Sequence, residues 1–119
     1  MTHPERRRAP RMSSRLPMVL RGETDEFQAT AENISTSGVY CSLSYYLEPM
    51  TKLRVRLQLP APESREIHCH GVVVRVQPPS ASPSASLYHL AIFFNDLSDR
   101  DRDALARFVQ HRLQAAASR

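Results

Sequence analysis

Residues 52–59 read KLRVRLQL, and apolar and polar side chains alternate through all eight positions. A period of two places Leu53, Val55, Leu57 and Leu59 on one face and Arg54, Arg56 and Gln58 on the other. That is a strand with one buried and one wet face. Upstream, RLPMVLR (15–21) reads as a first strand, GETDE (22–26) as a turn and FQATAENI (27–34) as the return strand of a hairpin. STSG (35–38) breaks the pattern, and VYCSL (39–43) resumes it with Val39, Cys41 and Leu43 on one face.

Downstream, REIHCHGVVVRVQ (65–77) is a long β-branched run in which Gly71 suggests a bulge or sharp bend. PPSASPSAS (78–86) has the composition of an exposed loop, and LYHLAIFF (87–94) is the last strand. The period then changes. Ser98 and Asp101 have capping-box spacing, acidic residues suit the helix start, and Ala104, Leu105, Phe108, Val109 and Leu113 recur at helical intervals. A helix over about 98–115 is expected. The reading is all-β with one terminal helix: a six- or seven-stranded antiparallel barrel or sandwich, with the helix over an opening or edge. Its apolar stripe is expected to face the domain itself.

Composition bounds the function. One domain fits 119 residues, and no apolar run approaches the ~20 residues that cross a bilayer. No export signal is readable, so Cys41 and Cys69 are expected as free thiols in a reducing cytoplasm. Charge is unevenly placed. Residues 1–15 hold five arginines against Glu5, whereas residues 16–119 hold 11 basic and 11 acidic residues. The formal +4 therefore belongs to the first 15 residues, and Lys52 is the only lysine. Residues 1–14 read as a flexible basic arm, with the folded domain over 15–115.

Enzymatic patterns are missing: there is no GxSxG, no HExxH and, with three glycines, no Walker loop. Not an enzyme, and no cofactor, is the expectation. In HCH (68–70) the two histidines share a strand face and Cys69 points the other way, so no metal site is expected there. Tyr45 and Tyr46 lie in a connection, where a hydrogen-bonded tyrosine packed on the barrel is the default.

Two short patterns remain. ERRRAPR (5–11) places Arg7 and Arg11 four residues apart. ENISTSG (32–38) places Asn33 and Ser35 on one face of an extended chain, with Gly38 where a turn needs positive φ or close backbone approach. Together they resemble the two signatures of the PilZ domain family, RxxxR and [D/N]xSxxG, in that order, and the resemblance spans roughly residues 5–115. It implies a β-barrel capped by a carboxy-terminal helix and a bacterial receptor for cyclic di-GMP. By this likeness Arg7 and Arg11 grip guanine and phosphate. Asn33 and Ser35 offer polar groups from the barrel, and Gly38 keeps the turn shape. Arg6, just before the first motif, implies an intercalated ligand dimer.

A second RxxxR register, Arg11 and Arg15, is disfavoured because Arg15 already begins a strand; Arg8 has no assigned role. The family implies a stand-alone adaptor whose arm changes conformation to signal to a protein partner in motility, exopolysaccharide or developmental control. Two alternatives stand beside it. One is a degenerate PilZ interaction module that binds no ligand. The other is a basic-arm nucleic-acid binder, against which the missing aromatics near the arginines and the neutral remainder argue.

Overall fold

The computed structural model describes residues 12–117, with side chains from 15 to 113. Six strands and one helix follow in order: β1 (Met12–Arg21), β2 (Glu26–Ile34), β3 (Gly38–Leu43), β4 (Lys52–Gln58), β5 (Glu66–Gln77), β6 (Tyr88–Phe94) and α1 (Asp99–Ala117). All neighbours are antiparallel, and the sheet closes on itself in the order β1-β2-β3-β6-β5-β4. Met18–Arg21 of β1 and Arg54–Leu57 of β4 make the closing seam. This is the six-stranded form of the expected barrel. The first strand starts at Met12 rather than at Arg15.

The barrel forms because its strands keep period two. Burial alternates without a break along β4, and Leu53, Val55 and Leu57 join Met18, Leu20 and Ile67 inside. Ala104, Leu105, Phe108 and Val109 of α1 belong to the same core. A closed barrel has no free edge. The helix therefore adds its apolar side to the interior and covers no sheet edge.

Two local expectations change. Gly71 marks no bulge, since it pairs in register with Leu53 and Phe94. The slip between β5 and β6 falls instead at Val74, between Val73 and Arg75. Gly71 serves close packing: a Cβ there would lie 2.7 Å from Cγ2 of Ile92 and 3.1 Å from the Phe93 carbonyl oxygen. At the helix start the Ser98 hydroxyl accepts the Asp101 N–H at 3.1 Å, which is half of the capping box. The Asp101 carboxylate does not return that bond. It is buried and accepts from Arg65 Nε at 2.7 Å and from the His68 N–H at 3.3 Å, tying the helix to the start of β5.

Tyr46 follows the default for its segment, donating to the Pro79 carbonyl at 3.0 Å and meeting Tyr88 edge-on. Tyr45 is exposed and leans on Phe27. Residues 78–87 form no strand, and the Tyr88 hydroxyl pins them through both backbone groups of Ser82. Among the described residues no helix is long and apolar enough to cross a membrane.

Both cysteines are free and buried. Burial pushes the Cys41 thiol up to about 12, with the Glu32 charge adding to it. Cys69 also reaches about 12, first through burial and then through Asp96 and Asp101. A raised pKa keeps each thiol protonated at pH 8, and the thiolate is the reactive form. Neither cysteine is expected to react with a thiol reagent at pH 8 in the folded protein, and both should react in denaturant. Rapid labelling of the native chain would contradict this environment.

Candidate ligand site at the 33–38 turn

The turn between β2 and β3 is built by its own hydroxyls. Ser35 N–H donates to the Gly38 carbonyl at 3.0 Å and closes it. The Ser35 hydroxyl accepts the Ser37 N–H at 3.1 Å and lies 3.0 Å from the Ser37 hydroxyl. A serine side chain that mimics a backbone turn in this way is favoured over helix or ladder. Ser35 is accordingly buried; its hydroxyl shapes the turn, and the residue lines the cavity beside it.

Gly38 answers the question its motif raised. No glycine has positive φ, so conformational freedom is not the reason for it. Gly38 pairs with Phe93 of β6, and a Cβ would drive into the Ile92 carbonyl oxygen and sit 3.4 Å from the Phe93 Cα. The requirement is close approach of two backbones.

Asn33, Ser35 and Gly38 line one surface cavity of about 440 Å³. The other lining comes from β3 itself and from two strands distant in sequence. Arg75 and exposed Val74 arrive from β5, exposed Phe93 from β6, and Tyr40 from β3. Register slips at β2–β3, between Ala31 and Asn33, and at β5–β6 beside Val74 lie on two sides of the cavity. Bulges of this kind re-aim side chains and recur next to functional sites. Chemically the lining offers an amide, three hydroxyls, one guanidinium and apolar residues that include Val39 and Ile92. That combination suits a flat base with polar edges and an attached anion.

Sequence reasoning missed Arg75, Val74 and Phe93. The available signal was weak: Arg75 is the one charged residue in VVVRVQ, and Phe93 is a large apolar residue at an outward position of an alternating strand. Arg6, Arg7, Arg8 and Arg11, with most of the expected arm over 1–14, lie outside the described residues. Arg15, of the alternative register, is an exposed residue of β1 and does not line the cavity.

His68 and His70 lie outward on β5 with Cys69 buried between them, as the strand period required. Among the described residues no three His, Cys, Asp or Glu side chains converge as a metal site would need.

A small closed six-stranded barrel with one carboxy-terminal helix and an NxSxxG turn beside a surface cavity defines a compact barrel-domain class. The family model described as PilZ domain matches residues 5–111, and the chain belongs to that family. A search of curated protein sequences gives no match. Among solved structures, the inhibitor of motility MotI/DgrA of Bacillus subtilis superposes with a TM-score of 0.78 at 23% identity, over 94% of this chain and 53% of that one. The PilZ domain of Escherichia coli YcgR, solved with c-di-GMP, gives 0.69 at 13% identity, over 96% of each chain. The MrkH–c-di-GMP complex of K. pneumonia gives 0.73 at 21% identity, over 97% of this chain and 56% of that one. The chain thus spans about half the length of MotI and MrkH, and at these identities the likeness is one of fold.

Proposed function

We propose that the chain is a cyclic di-GMP receptor that holds its ligand between the arginines of its amino-terminal segment and the 33–38 turn. One observation carries this reading: Met12 pairs with Ile34 and Ser13 with Asn33. Arg11 is bonded directly to Met12, and consecutive Cα atoms are ~3.8 Å apart. The described start of β1, which follows the RxxxR motif in sequence, therefore pairs beside the turn that carries the other motif. The sequence separates the two motifs by more than twenty residues, and the β1–β2 register supports the reading by pairing the start of β1 with the end of β2.

Each residue type matches a part of such a ligand. Arg7 and Arg11 supply planar forks for guanine O6 and N7 or for phosphate oxygens. The Asn33 amide accepts from and donates to a guanine edge, where the family more often has a carboxylate that only accepts. Ser35 adds a hydroxyl, Arg75 a cation from the barrel itself, and Val74 with Phe93 an apolar platform for a purine face. Ligand phosphates offset the mutual repulsion of the arm arginines, so binding favours an arm conformation that the free chain disfavours. A partner protein reads that change, which makes the chain an adaptor.

Arg6 sets the stoichiometry in this reading. Calorimetric saturation is expected at two ligands per chain for the wild type and one for Arg6→Ala. A wild-type ratio of one would refute the paired ligand while leaving the receptor in place.

A further inference from the structure

On the outer face of β1, β4 and β5 a second cavity of about 380 Å³ shares no lining residue with the first. Its floor is a grid set by register. Arg21 lies opposite Arg54, which lies opposite His70; one row along, Val19 lies opposite Arg56, which lies opposite His68. Like charges directly opposite on neighbouring strands weaken a sheet. Arg21 does face Glu26 across the β1–β2 pair, whereas across the barrel seam the residue facing it is Arg54. Neither arginine has a carboxylate within ion-pair distance among the described residues.

The carboxylates near the grid hold its histidines. Asp96 accepts both the backbone N–H of His70 and its ring Nδ1–H at 2.6 Å each. Those two bonds, the backbone one first, hold the Asp96 carboxyl below the usual carboxylate range. An ionised carboxylate only accepts, so His70 Nδ1 is the donor in that bond. Glu66 holds His68 Nε2 at 3.0 Å and lies 3.7 Å from Arg56 Nε. Arg21 and Arg54 are thus left without an ion-pair partner among the described residues, on a surface where Asp96 and Glu66 are taken by the histidines and Arg56 and where Glu26 is the remaining acid.

We propose that this β1–β4–β5 groove is a docking surface for an acidic segment of a partner protein. Charge complementarity selects the occupant. Arg21 and Arg54 call for carboxylates, while Glu26, Glu66 and Asp96 around them repel an unbroken polyanion such as a nucleic-acid backbone. A protein segment bears acids where the arginines stand and neutral or basic groups against the rim. Connection to the ligand turn is direct in the backbone. Phe94 N–H donates to the Ser37 carbonyl at 3.0 Å, Asn95 N–H to the His70 carbonyl at 2.9 Å, and Asp96 then holds the His70 ring. The proposal names the partner chemistry of the adaptor and in that respect rests on the receptor reading.

The test uses the full chain and a fluorescein-labelled twelve-residue peptide of alternating glutamate and serine, read by anisotropy. A lysine–serine peptide and a single-stranded dT12 oligonucleotide are the comparisons. The acidic peptide is expected to bind the wild type and to lose at least tenfold in affinity to Arg21→Glu/Arg54→Glu. That variant keeps the amino-terminal arginines and should bind cyclic di-GMP as the wild type does. Arg21→Ala/Arg54→Ala, with circular dichroism, serves if the reversal does not fold. Equal peptide binding by wild type and variant, no peptide binding by the wild type, or a preference for the oligonucleotide that the double variant abolishes would each overturn the proposal. A wild type that binds no cyclic di-GMP would sink the receptor reading alone, because the peptide comparison needs no ligand.

Discussion

Gly38→Ala is expected to abolish cyclic di-GMP binding and to destabilise the barrel by about 2–3 kcal/mol, the upper part of the overpacking range. The magnitude follows from what the new methyl group meets. Its obstacles are the Ile92 carbonyl and the Phe93 Cα, which belong to backbone and have no rotamer to turn away. β3 and β6 must separate where they pair, and the cavity wall at Ile92 and Phe93 moves with them. Gly22→Ala is the control. Its Cβ meets only the Asp25 carbonyl oxygen at 3.8 Å, and φ is not positive there. Stability should stay level or rise slightly, since alanine restricts the unfolded chain. Urea denaturation of the two variants gives the comparison, with a shifted midpoint at constant slope as the readout. Equal midpoints would show that close approach at Gly38 is not limiting.

Phe108→Ala carries the larger cost to folding. Phe108 is 1% exposed and is among the largest fully buried side chains of the core. Truncation of such a phenylalanine typically costs about 3–5 kcal/mol, lost transfer energy plus a residual cavity. Whole domains have only about 5–15 kcal/mol to lose. Phe108 is on α1, after the last strand, and its neighbours Ala104, Leu105 and Val109 are also buried. The variant therefore asks whether the helix is part of the barrel's core or an appendage. A midpoint shift below what ~1 kcal/mol would produce points to an appendage. A near-complete loss of cooperative unfolding in the variant supports a single core.

Much of the fold was legible because period two and period 3.6 are local signals. KLRVRLQL, VYCSL and the 98–115 stripe each appear where expected, with ends shifted by a few residues. What was hidden depends on which strands meet. Gly71 looks like a bulge glycine in sequence, and only the packing of Ile92 against it shows another use. Asp101 looks like a capping-box acid, yet Arg65, far away in sequence, takes its carboxylate. The candidate site divides in the same way. Asn33, Ser35 and Gly38 lie close in sequence and were readable as a motif. Arg75, Val74 and Phe93 reach the cavity only because β5 and β6 are neighbours and β5 slips by one residue at Val74. The Arg21–Arg54 opposition is likewise a product of the closing seam, which no local pattern announces.

The most direct measurement is a calorimetric titration of cyclic di-GMP into the wild type, Arg7→Ala and Ser35→Ala, each shown to be folded by circular dichroism. A good bidentate arginine contact contributes ~1–3 kcal/mol, and each 1.4 kcal/mol is tenfold in affinity. Saturable heat is expected from the wild type, with a loss of roughly tenfold or more in each variant. A folded wild type that gives no heat, or variants that bind as it does, would contradict the receptor reading.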